Sequence, residues 1–130
     1  MVTPDYITRL EPNEIFVFGS NLAGFHGGGA AHIAYEQFGA EWGVGEGITG
    51  KCYALPTMEG EKELEAAVER FTRWAEDDQE HNYKVTAVGC GIAGYDLEDV
   101  ALMFYEAAAL PNVYLPQCFW DVIDKYNRMV

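Results

Sequence analysis

Apolar positions along the chain switch between two periods. Ile15-Phe16-Val17-Phe18 is a short, wholly apolar run that ends at Gly19, the pattern of a strand buried on both faces. From Gly29 to Phe38 the spacing turns helical, with Ala30, Ile33, Ala34 and Phe38 on one side and Gly39 as the stop. Cys52 to Leu55 reads as a second strand, closed by Pro56. Between Glu61 and Asp78, Leu64, Ala67, Val68, Phe71, Trp74 and Ala75 recur at three and four residues, and Glu65, Glu69, Arg73 and Glu76 take the other side, which predicts an amphipathic helix. Tyr83 to Val88 predicts a third strand. Asp96 is placed as an N-cap, with Asp99 at the third position, for a helix running to about Ala109. Val113-Tyr114-Leu115 and Trp120 to Asn127 predict a fourth strand and a terminal helix.

Strands alternating with helices imply one α/β domain with a largely parallel sheet. In such sheets a ligand sits outside the carboxyl ends of the strands, and there the glycines gather. Most of the 14 fall in three segments. The first runs Gly19-Ser20-Asn21-Leu22-Ala23-Gly24-Phe25-His26-Gly27-Gly28-Gly29-Ala30, from a buried strand into a helix. Three glycines at a helix start are entropically costly, but they leave the first-turn N–H groups bare. No carboxylate stands between Ala23 and Ala34 to occupy them, so this helix start suits an anion. No Gly-Lys-Ser/Thr follows, which excludes a Walker A loop. The second segment, Gly45-Glu46-Gly47-Ile48-Thr49-Gly50, spells GxGxxG but precedes a strand, and reads as a loop. The third, Gly89-Cys90-Gly91-Ile92-Ala93-Gly94, follows a strand and opens a helix. No acid stands near Tyr114, where a dinucleotide fold needs one, and the chain ends too soon after Gly94 for the rest of that fold. It reads instead as a second glycine loop facing the first, able to close on a diphosphate.

Composition narrows the field. At 130 residues the chain suits a single domain over 1–130, and 49% apolar residues exclude disorder. Eight basic against 21 acidic residues give a net charge of −13, which disfavours a nucleic-acid duplex as partner but not a small anion held by local dipoles. No run of about 18 apolar residues is present to span a membrane. Cys52, Cys90 and Cys118 form no CxxC and read as reduced thiols of an intracellular protein, and no metal-ligand cluster or cofactor motif stands out.

The order of these motifs resembles the macrodomain family of ADP-ribose binders over most of the chain, from about Asp5 to Tyr126. The likeness is carried by Asn21 with Gly27-Gly28-Gly29, by Tyr53-Ala54-Leu55-Pro56, and by Gly91-Ile92-Ala93-Gly94-Tyr95. The wording FGSNLAGFHGGGAA with VGCGIAGY looks like a compact branch common in phage and bacteria. The resemblance implies a three-layer α/β/α sandwich with a mixed sheet. It also implies that Asp5, in Asp5-Tyr6-Ile7-Thr8, holds an adenine amino group, and that an aromatic from Val113 to Trp120, Phe119 or Trp120, stacks on adenine unless it is a core residue. On this reading Gly27, Gly28, Gly29 and Ala30 donate N–H groups to one phosphate. Gly91, Ile92, Ala93 and Gly94 cover the diphosphate, and Tyr95 packs on the distal ribose. Asn21 hydrogen-bonds that ribose or only shapes a turn. For catalysis, Asn21 is a candidate to orient water or sugar and His26 a candidate acid or base, the alternative being a surface-loop histidine. Asp96 is a further candidate, against its capping role.

Two functions follow. One is binding of ADP-ribose or a related NAD-derived nucleotide, such as sequestration of a host immune signal by a phage protein in the host cytoplasm. The other is hydrolysis of ADP-ribose from a protein, nucleic acid or small molecule. The lack of a strong acid–base pair tips the balance toward binding. A homo-oligomer and an empty scaffold stay open.

Overall fold

The structure, a computed structural model, describes residues 1–91 and 93–129. It is a mixed α/β protein whose elements are β1 (Val2–Thr3), β2 (Glu14–Ser20), α1 (Gly29–Gln37), β3 (Gly47–Thr49), β4 (Cys52–Pro56), α2 (Glu61–Asp77), β5 (Asn82–Val85), α3 (Leu97–Met103), β6 (Val113–Pro116) and α4 (Gln117–Met129), with a 3₁₀ turn at Ala107–Ala109. The six strands form one mixed sheet in the order β1-β6-β5-β2-β4-β3. All neighbours are parallel except β3, which runs antiparallel to β4.

β2 is central and buried, as its apolar run predicts, and its alternate side chains serve two cores. Ile15 and Val17 join Tyr53, Leu55, Tyr83, Val85, Val113 and Leu115 in one cluster, closed by residues of α2, α3 and α4. Phe16 and Phe18 join Cys52, Ala54 and the α1 residues Ala31 and Ala34 in the other. In α2 the predicted stripe is buried at Leu64, Ala67, Val68, Phe71 and Ala75. Trp74 is half exposed instead, with its indole N–H donating to the Tyr83 hydroxyl at 2.7 Å. In α1 the buried positions are Ala31 and Ala34, followed by Phe38, while Ile33 points outward. Two alanines on the inner face let this short helix lie close to the sheet.

Several boundaries differ from those expected. β1 and β3 are two- and three-residue edge strands, too short to show a period. The expected helix from Asp96 to Ala109 stops at Met103 and gives way to the separate 3₁₀ turn. Asp96 does cap it, accepting the Glu98 N–H at 2.9 Å. The second GxGxxG segment is structural, and part of it is strand rather than loop. A Cβ at Gly45 would lie 2.1 Å from the Asn21 carbonyl oxygen, and one at Gly50, where φ is +56°, 2.4 Å from that of Gly39. Glu46 within it forms a two-pronged pair with Arg70 of α2, at 2.6 and 2.8 Å.

Behind α2, the Tyr83 hydroxyl donates to Asp78 at 2.6 Å, and His81 Nδ1 lies 2.8 Å from the same carboxylate oxygen. The Tyr83 bond, with the His81 contact, holds the Asp78 carboxyl below its ordinary 3.8. A carboxyl lowered on folding stabilises the fold above its unfolded pKa, and that contribution fades as the pH falls from about 3.8 through the lower folded value. Tyr83→Phe is expected to cost about 1–2 kcal/mol at neutral pH and to flatten the acid limb of the stability curve below pH 3.8. Denaturant titrations of both proteins from pH 2 to pH 7 check this.

Candidate functional site

β2, β4 and β5 are neighbours and parallel, so their carboxyl ends open at one edge of the sheet. A cleft of about 520 Å³ lies there. Gly19 and Ser20 from the end of β2, Thr57 after β4, and the stretch from Thr86 to Gly89 after β5 line it. The start of α1, from Gly28 to Ala31, forms a further part of the lining, as do Gly91 and Ala93 of the third glycine segment. The first and third glycine segments, 60 residues apart from Gly29 to Gly89, therefore meet across one cavity.

The donors in this cavity belong to the main chain. α1 has no side-chain cap and no acidic residue in its first turn. The N–H groups of Gly29, Ala30 and Ala31 thus have no intrahelical partner and carry the positive end of the helix dipole. Gly28, with φ −154°, is in the extended region, and a Cβ there or at Gly27 or Gly91 would meet nothing within 4 Å. The space in front of these amides is open. The three hydroxyl groups of the lining are engaged within the protein: Thr57 Oγ1 donates to the Ser20 carbonyl at 3.0 Å, Thr86 Oγ1 to that of Val17 at 2.8 Å, and Ser20 Oγ lies 3.2 Å from the Asn21 carbonyl and 3.3 Å from His26 Nδ1. Among the described residues that line the cleft, none bears an ionisable side chain. Glu59, the acid next to the lining residue Met58, is not part of the lining, and the uncapped start of α1 contributes the positive end of its dipole there.

Several expected site residues are placed otherwise. His26 is fully buried rather than on a loop surface. Its Nε2 lies 2.9 Å from the Glu41 carbonyl and its Nδ1 3.3 Å from Ser20 Oγ. A carbonyl only accepts, so Nε2 carries the proton. Packed edge-on against Phe18 and near Trp42, with both nitrogens engaged, His26 supports the loop from behind and does not line the cleft as an acid or base would. Asn21 does line it, but its carboxamide is turned to the loop: Oδ1 accepts the Phe25 N–H at 3.1 Å and Nδ2 donates to the Phe25 carbonyl at 3.3 Å. The turn-forming alternative describes this geometry.

Gly27, Gly94 and Tyr95 are not part of the cleft lining. The Gly94 N–H donates back to the Gly91 carbonyl at 3.0 Å, and the Tyr95 N–H to that of Gly89 at 2.9 Å, so both amides are engaged within the segment. The Tyr95 hydroxyl accepts the N–H of Gly60 at 3.2 Å, which ties the loop to the start of α2 instead of offering the ring to a ribose. Phe119 is completely buried against Phe104, 5.4 Å between ring centroids, and is a core residue. Trp120 donates its indole N–H to the Met1 carbonyl at 2.7 Å, joining α4 to the N-terminus. Asp5 is exposed, in the segment that leaves β1, and lies outside the cleft. Ile92 lies outside the described residues.

Sequence reasoning missed Phe25, Thr57 and Met58 as lining residues. Thr57 and Met58 directly follow Pro56, the predicted strand end, which was the available clue. Comparison of the chain with protein-family models, with curated proteins and with solved structures returns no match.

The burial of His26 has a measurable consequence. His26→Ala is expected to lower stability by roughly 2–4 kcal/mol, through the cavity left behind and the lost hydrogen bonds. Thermal and denaturant unfolding check it; an unaltered midpoint would contradict the supporting role.

Proposed function

We propose that the protein binds ADP-ribose or a related NAD-derived nucleotide, with the diphosphate held between the start of α1 and the Gly91–Ala93 loop. One observation carries this reading. A cavity at the carboxyl ends of three parallel strands presents uncapped helix amides and no ionisable side chain among its described lining residues. Its volume of about 520 Å³ falls in the range of small-molecule and cofactor sites. The two hydrophobic clusters, one closed by α1 and the other by α2, α3 and α4, support the three-layer α/β/α arrangement of a macrodomain-like fold.

Sequestration is the mode we favour over turnover. Hydrolysis at the distal ribose needs a water and a group to orient or deprotonate it, whereas His26 is buried and the Asn21 carboxamide is engaged by Phe25. A binder of this kind, encoded by a phage, would withdraw a nucleotide signal in the host cytoplasm. The ADP-ribosyl hydrolase remains the second reading, resting on the family resemblance alone.

Calorimetry with ADP-ribose tests the proposal. A one-to-one complex is expected, with intact nucleotide recovered from it; progressive loss of the nucleotide would favour the hydrolase. Gly28→Glu is the decisive variant. Its backbone is extended and its Cβ has open space, so the fold is expected to survive while a carboxylate enters the phosphate position. Affinity is expected to fall at least about 100-fold, equivalent to about 2.7 kcal/mol. A folded Gly28→Glu protein that binds as the parent does would refute the diphosphate site.

A further inference from the structure

A nucleotide in this cleft also needs a place for its base, and neither aromatic implied by the family resemblance lines the cavity: Phe119 is buried in the core and Trp120 donates its indole N–H to the Met1 carbonyl. Among the described residues that line the cavity, Phe25 is the one aromatic side chain. It is 61% exposed and neighbours Trp42, itself 51% exposed, so the two rings form a local apolar patch at the cleft edge rather than a lone exposed side chain.

The ring is also held in place. It stacks on Trp42, with centroids 5.9 Å apart and planes 28° apart, and Tyr35 meets the Trp42 ring edge-on at 5.5 Å. Asn21 fixes the Phe25 backbone from both sides with its carboxamide. Gly24 accepts the Gly43 N–H at 2.9 Å, and a Cβ on Gly24, where φ is +71°, would lie 2.3 Å from the Gly43 carbonyl carbon. Only glycine lets the loop bearing Phe25 touch the loop bearing Trp42. A further strut comes from Glu59, whose Oε2 accepts the Leu22 N–H at 3.0 Å. An exposed ring immobilised by this many local contacts, beside free main-chain donors, is preorganised for a planar partner.

We infer that Phe25, backed by Trp42, is the stacking platform for the heteroaromatic base of the bound nucleotide. This rests on the nucleotide reading above and adds where the base lies: on the loop after β2, and not beside β6 and α4. Asn21 is then a positioning residue, acting through Phe25.

The test titrates ADP-ribose, and inorganic pyrophosphate as a probe without a base, into the parent protein, Phe25→Ala and Phe25→Tyr. Phe25→Ala is expected to weaken ADP-ribose roughly 10- to 100-fold, leave pyrophosphate unchanged, and be rescued by Phe25→Tyr. If Phe25→Ala binds ADP-ribose as the parent does, or loses both probes equally, the platform is refuted. The same holds if the parent binds ADP-ribose no more tightly than pyrophosphate, although the diphosphate site then stands. If the parent binds neither probe, the nucleotide reading fails and the platform fails with it.

Discussion

The site depends on backbone N–H groups at the start of α1 that have neither intrahelical partners nor side-chain caps. Such groups are stable when exposed to water or an anion, and costly when covered by apolar matter. Gly28 and Gly29 keep them uncovered, and the sheet sets where they point. α1 follows directly from the loop after β2, a central and largely buried strand, so its first turn opens over the carboxyl ends of β2, β4 and β5. A helix start of this kind needs no charged side chain to attract an anion, so the anion site proposed here is compatible with a protein of net charge −13.

The glycine segments divide the labour. In the first, Gly28 leaves space in front of the amides, whereas Gly24 allows one loop to press against another. In the second, Gly45 and Gly50 are sites of close backbone contact and Glu46 braces α2 through Arg70. In the third, Gly91 faces the cleft while Gly89 packs a positive-φ turn beneath Leu64 and Tyr95. The same residue type thus serves openness in one place and tight contact in another. A GxGxxG string by itself does not distinguish the two.

Polar groups near the cleft serve mostly to hold its walls. His26 links the first loop to Glu41, Asn21 braces Phe25, and Tyr95 secures the start of α2. Each belongs to a residue type common in catalysis, yet each has its functional atoms bonded within the protein. Among the described residues that line the cleft, what these bonds leave open is the main chain and one aromatic ring, that of Phe25. That division suits recognition of a ligand with a charged centre and a flat end.

The sequence by itself determined the α/β alternation, the buried character of β2, the amphipathic stripe of α2, the Asp96 cap and the two glycine loops that share the cleft. These are properties of local spacing and backbone freedom, legible without knowing what lies opposite. It did not show the edge strands β1 and β3, whose pairing comes from neighbours rather than from their own few residues. Nor did it separate lining from support. Whether His26 faces water, whether Asn21 turns outward, and whether Phe119 or Phe25 offers its ring all depend on side-chain direction against residues distant in the chain. Tertiary packing decided those points, because an apolar ring or a polar tip takes its role from what surrounds it.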